Sequence, residues 1–269
     1  MLKVKKYGII GTIKRKRIST VAGSWVFYFC LALVPLAFLL VSAFSVFNID
    51  ASKVFLEYLP EEFRGLFEGV FLEASIKRKS TTLIFIGTVL FSGSALLNQM
   101  SKDGDFIYGV RSKKRGIFRR LKAVMGLILL FLVFFAFAFV FAFSGVILGR
   151  LKARTVNLIA TKISALLLLI LVCYVIIILL NKFISPIRLG AKEVLIGSLV
   201  SLVIIVLGTI GFTIYLKYFK FKGLAVGSIL SLLAFLFWLY ILMLGLSIGS
   251  AVIVTINKNQ KLSLKKDKD

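Results

Sequence analysis

The stretch from Ile18 to Ile49 contains no Asp, Glu, Lys or Arg. An α-helix rises about 1.5 Å per residue, so roughly 20 residues already cross a hydrocarbon core. A run of this length has no place in a water-soluble domain. Five further runs of the same kind follow, at Ser80–Ser101, Ala123–Gly149, Ile163–Asn181, Val194–Leu216 and Gly223–Asn257. Charged residues gather between them. The chain is 59% hydrophobic and only 17% charged, and its mean hydropathy is +1.00. A soluble domain has about a quarter of its residues charged.

The pattern predicts an all-α, polytopic membrane bundle. Its six transmembrane helices span about 20–47, 81–100, 123–149, 163–181, 194–216 and 224–256. A basic arm, 1–17, precedes the membrane domain (18–257), and a basic tail, 258–269, follows it. Val41-Ser42-Ala43 resembles a signal-peptidase site, but the apolar run exceeds the h-region of about 7–15 residues, so it reads as a retained span. The N-terminal arm alternates Lys and Arg with Val4, Ile9 and Ile13. It reads either as a short helix on the inner leaflet or as a disordered tail.

The formal net charge of +24 raises nucleic acid as a partner. Positive charge beside membrane spans has a simpler origin. Lys and Arg concentrate in cytoplasmic loops and meet anionic headgroups. The arm, loop 102–122, loop 182–192 and the tail hold most of the basic residues. Both termini are therefore expected in the cytoplasm of a plasma (inner) membrane. Arg111, Lys113, Lys114, Arg115, Arg119 and Arg120 are the candidate contacts to anionic lipid. Membrane lipids are the expected partner, with no specific nucleic acid and no cofactor.

Residues 50–79 carry Asp50, Glu57, Glu61, Glu62, Glu68 and Glu73. Leu56, Leu59, Phe63, Leu66, Phe67, Val70 and Phe71 recur every three or four positions, which is one apolar helix face. This segment is expected outside the membrane as one or two amphipathic helices, its carboxylates spread over a solvated face. The chain has no histidine. That removes the usual general base and the commonest zinc ligand. Cys30 and Cys173 lie inside apolar runs and read as buried thiols. No GxxxxGK[ST] loop is present for nucleotide hydrolysis.

Several positions break the apolar monotony. Pro35 lies where helix interior is expected and predicts a kink or break. Ser92, Ser94, Asn98 and Gln99 crowd the second half of span two and should face the bundle interior or its cytoplasmic mouth. With Tyr28 and Pro35 they are the candidate pathway or hinge. Trp25, near the start of span one, sits where an indole marks the interface. Gly145/Gly149, Gly223/Gly227 and Gly245/Gly249 each have the four-residue spacing that lets helices approach closely.

Three stretches together resemble the YihY/BrkB family of bacterial inner-membrane proteins. They are Ala22-Gly23-Ser24-Trp25-Val26-Phe27-Tyr28 running into Leu33-Val34-Pro35-Leu36, then Ile107-Tyr108-Gly109-Val110 followed by basic residues and Gly116, and finally Pro186 with Gly197 and Leu236-Phe237-Trp238-Leu239-Tyr240 through Leu244-Gly245. The resemblance implies a six-span inner-membrane protein. It leaves the activity open: members have been labelled ribonucleases of the BN type or serum-resistance factors, and are suspected of moving lipids or envelope components. The family usually has Gly-Ala-Glu where this chain has Gly245-Leu246-Ser247. A transporter or flippase-like function is the leading expectation, with no enzyme chemistry. A docking scaffold is the alternative, and a ribonuclease fits least.

Overall fold

The computed structural model describes residues 8–46, 68, 82–110, 116–150, 158–187, 189–218 and 224–266. The described chain forms α1 (Ile9–Arg15), α2 (Ile18–Val46), α3 (Thr82–Tyr108), α4 (Gly116–Arg150), α5 (Leu158–Ile184), α6 (Ala191–Tyr218) and α7 (Leu224–Lys266). All seven elements are helices and no strand occurs among the described residues. The long helices coincide with the six apolar runs. The 50–79 segment, Glu68 apart, lies outside the described residues.

Helix boundaries follow local chemistry. Gly109 has φ +68 and ends α3. Its N–H donates to the Phe106 carbonyl at 3.3 Å, and the Val110 N–H donates to that of Asp105 at 3.0 Å. This reversed-turn pair satisfies the last carbonyls, and glycine takes the left-handed backbone without a Cβ clash. The basic loop is consequently shorter than expected. Residues 102–108 continue α3, with Ile107 and Tyr108 buried in the core. Arg17 (φ 43) makes the sharp elbow between α1 and α2. α2 runs on through Pro35 without a break in the helix. α7 extends past Asn257 into the basic tail.

Burial is inverted relative to a soluble protein. Leu167, Leu169, Leu207, Ile210 and Phe237 face outward, while Asn181, Ser198, Ser201, Ser247 and Ser250 are fully enclosed. An exterior of this kind is stable in oil and would aggregate in water. Leu167–Ile184, Ala191–Tyr218 and Leu232–Asn257 are long and apolar enough to cross a membrane, and Ile18–Ala32 is apolar but shorter.

The main core joins α2, α3, α5 and α7 around Trp25, Leu97, Met100, Ile184 and Ile253. A second cluster packs Phe212 and Leu216 of α6 against Ala234, Phe235 and Leu239 of α7. The most extensive helix pair is α6 with α7. Its closeness has a local cause. A Cβ on Gly249 would meet the Gly197 carbonyl at 2.6 Å and the Ser201 hydroxyl, and one on Gly245 would meet Ile205 at 2.7 Å. Gly245 and Gly249 both lie at this contact. The α6 residues facing Gly249 are Gly197 and Ser201, and those facing Gly245 are Ile204 and Ile205.

Candidate functional site at the polar end of the bundle

Polar side chains from five helices meet at one end of the bundle. Ser24 and Trp25 are consecutive on α2, near its start. Gln99 and Asp103 lie one turn apart at the end of α3. The Trp25 indole N–H donates to Asp103 Oδ2 at 2.8 Å, and Ser24 Oγ donates to the same oxygen at 2.9 Å. Gln99 Nε2 donates to Oδ1 at 3.1 Å. Burial raises the Asp103 carboxyl above the ordinary aspartate range, while the three donors and the Lys102 charge pull it back. Trp25 is wholly buried here, 0% exposed. Its N–H needs an acceptor inside the protein, and Asp103 supplies it.

A second cluster ties α5, α6 and α7. Asn181 Nδ2 donates to Ser198 Oγ at 3.0 Å, and Ser250 Oγ donates to Asn181 Oδ1 at 2.7 Å. All three are 0% exposed, so each buried amide atom has a partner, as an apolar interior demands. One turn of α6 away, Glu193 Oε2 accepts the Gly190 N–H at 3.1 Å and Asn257 Nδ2 at 2.9 Å. Glu193 sits at the third position of α6 and reaches back to the residue before its start, half of a capping box. Tyr108 packs nearby, its hydroxyl pushed up by burial. Ser185 eases that shift and the Glu193 charge adds to it.

Cations ring this end. Lys16 Nζ donates to the Phe106 carbonyl at 2.6 Å and stands 5.1 Å from that ring's centroid. Arg119 pairs with Asp105 at 2.8 Å. Arg120 lies 4.8 Å from the Phe91 centroid, and Lys122 lies 4.7 Å from that of Phe183, whose carbonyl it also engages at 3.3 Å. Thr255 Oγ1 of α7 donates to Thr12 Oγ1 of α1 at 3.1 Å. These bonds place the starts of α2, α4 and α6 with the ends of α3, α5 and α7. The six long helices therefore alternate up and down, and this end also holds α1.

The predicted positions distribute unevenly. Gln99 enters the Asp103 cluster. Ser94 is buried and donates to the Phe91 carbonyl of its own helix at 2.9 Å; Ser92 does the same to Thr88 at 2.8 Å. Asn98 is half-buried, and no hydrogen-bond partner for its side chain occurs among the described residues. The Tyr28 ring makes an edge contact with Phe27, centroids 5.5 Å apart. Pro35, Gly145, Gly149 and Gly227 lie within helices at positions whose side-chain surroundings are outside the description; Arg111, Lys113, Lys114, Arg115 and Gly223 lie outside the described residues altogether. Ser247 is enclosed and bonds back to the Leu244 carbonyl at 2.9 Å. Asp103, Asn181, Glu193 and Asn257 escaped the sequence reading as a site. One signal was available: Glu193 and Asp103 are among the few acidic residues outside 50–79. Among the described residues, no group of three or more His, Cys, Asp or Glu side chains gathers to hold a metal ion.

Residues 9–269 match the profile of a protein family described as Virulence factor BrkB. No curated protein and no solved structure matches the chain. The match spans nearly the whole sequence. The chain belongs to the BrkB virulence factor family of membrane proteins.

Proposed function

We propose that this protein is a six-span inner-membrane protein with both termini in the cytoplasm, and that it moves a lipid or other amphipathic envelope component across the bilayer. It acts by binding and conformational change rather than by bond-making chemistry. The observation that supports this reading is the gathering of polar side chains from five helices at one end of an otherwise apolar bundle. Buried polar groups inside a membrane bundle mark pathways and the closures that gate them. In this reading the Asp103 and Asn181 clusters seal the cytoplasmic end. Lys16, Arg120 and Lys122 at the rim, with Arg111 and Lys113–Arg115, draw anionic headgroups to it. Ser92, Asn98 and Gln99 supply polar positions along span two.

The experiment is reconstitution into liposomes containing fluorescent phospholipid, with the outer leaflet bleached by a membrane-impermeant reductant. Wild type should expose inner-leaflet lipid faster than protein-free vesicles, and Asn98→Leu with Gln99→Leu should slow it. Equal rates for wild-type and empty vesicles would remove the proposal.

A second reading, a docking scaffold, is favoured by the completeness of the Asn181–Ser198–Ser250 bonding, which a static core also requires. Single cysteines placed deep in α2 and α3 separate the two. Labelling by a water-soluble maleimide supports a pathway, and uniform protection supports the scaffold. The ribonuclease reading ranks last and predicts RNA cleavage by the purified protein that charge reversal at Arg119 and Arg120 abolishes.

A further inference from the structure

Glu193 is 5% exposed, and both groups that donate to it, the Gly190 N–H and the Asn257 amide, are neutral. Among the described residues no cationic side chain forms an ion pair with it; Arg119 pairs with Asp105 instead. A carboxylate enclosed without a counter-charge is costly, because burial removes its hydration and neutral donors replace only part of it. Beside it stands a second anomaly. Tyr108 is 4% exposed, and its hydroxyl is buried with no hydrogen-bond partner. Ser185 lies beside that hydroxyl but makes its own bonds within the α5–α6 turn, donating to the Ile187 carbonyl at 2.9 Å and accepting the Ile187 N–H at 3.3 Å. Native proteins rarely leave a buried hydroxyl unsatisfied, and such a group points to something that belongs next to it.

The two anomalies have one answer. We infer that Glu193, Tyr108, Ser185 and Asn257 bind a single dehydrated alkali cation, sodium or potassium, between the end of α3, the α5–α6 turn, the start of α6 and the last part of α7. Carboxylate, phenol, hydroxyl and amide oxygens form a hard donor set, which suits alkali and alkaline-earth ions rather than soft transition metals. One carboxylate balances one positive charge. A calcium-type site calls on several carboxylates among six to eight oxygens, and only one is present here. A water molecule would satisfy the Tyr108 hydroxyl but leave the Glu193 charge unbalanced. Glu193 is bonded to α7 through Asn257, so an ion here would fasten the start of α6 to the end of α7.

The test uses the full-length protein in detergent, at constant ionic strength, in sodium, potassium or choline chloride. The readouts are thermal stability and binding of radioactive sodium. A saturable rise in stability with sodium or potassium, absent in choline, is expected, because a ligand that binds only the folded state stabilises it. Tyr108→Phe keeps the ring and removes one oxygen. It should raise the half-saturating concentration about tenfold, the share of one polar contact. Glu193→Gln should abolish the response. Identical stability in all three salts overturns the site. So does a saturable response that survives in Glu193→Gln, or a Tyr108→Phe variant that shifts stability but not half-saturation, which would indicate buried water. Should Glu193→Gln fail to fold, the half-saturation of Tyr108→Phe decides alone. Each readout is binding or stability, so the site stands or falls independently of lipid movement.

Discussion

The Trp25–Asp103 bond is the contact whose loss can be worked most closely from the structure. Asp103→Leu removes the acceptor for three donors, but their losses differ. Ser24 Oγ already lies 2.8 Å from the Val21 carbonyl and has a second acceptor. Gln99 is half-buried and can turn toward water. The Trp25 indole is 0% exposed and has no other acceptor among the described residues, so its N–H becomes an orphan. A short bond from a buried donor to a carboxylate contributes about 1.5–3 kcal/mol. Trp25→Phe removes the donor while keeping most of the ring, so a double-mutant cycle isolates the pair. The two single losses should exceed the double-mutant loss by about 1.5–3 kcal/mol, or one to two powers of ten in the unfolding constant. The assay is reversible unfolding in mixed micelles, followed by far-ultraviolet helicity. A coupling below about 0.5 kcal/mol, the usual scatter for independent sites, would refute the claim that Asp103 anchors the α2–α3 pair through this indole.

Other perturbations have equally definite outcomes. Gly249→Val puts side-chain atoms against the Gly197 carbonyl and Ser201 and should cost about 1–3 kcal/mol, as overpacking does; Gly211→Ala, inside α6 with nothing within 4 Å, should be neutral or stabilise by up to about 1 kcal/mol. The same unfolding assay separates them, and equal effects would discredit the α6–α7 crossing. Asp103 holds its proton more tightly in the folded protein than its ordinary value of 3.8 implies. Its contribution is fully present below that value and is lost as pH rises through the raised one. Stability measured upward from acid should therefore fall over that window in wild type, and Asp103→Asn should flatten the fall.

The apolar runs made the helices legible because a stretch without charge has one stable home, but α3, α4 and α7 run on beyond them into the flanking charged residues. At Gly245 and Gly249, small residues one turn apart leave a groove: α6 sets Ile205 against Gly245, and Gly197 with Ser201 against Gly249. Other features depended on tertiary pairing that no local pattern encodes. Asp103 falls within the stretch 102–122 that the sequence assigns to a basic loop. The loop reading failed because Gly109, rather than the first charge, ends α3. Trp25 read as an interface anchor, since its distance along the helix is right for one, but the partner that draws it inward lies far along the chain. Asn181 and Asn257 looked like polar boundaries of apolar runs. Their amides serve instead to join α5 and α6 to α7.

The lopsided placement of the polar bonds constrains how the rods can move. Every cross-helix bond described above that links side chains of α2 to α3, or of α5 to α6 and α7, sits near one extremity. The glycine crossing of α6 and α7 lies close by. A rearrangement that keeps these rivets intact must swing the opposite extremities apart, like tongs held at the joint. Opening the riveted extremity would instead require Asp103 to release Trp25 and Asn181 to release Ser250 first.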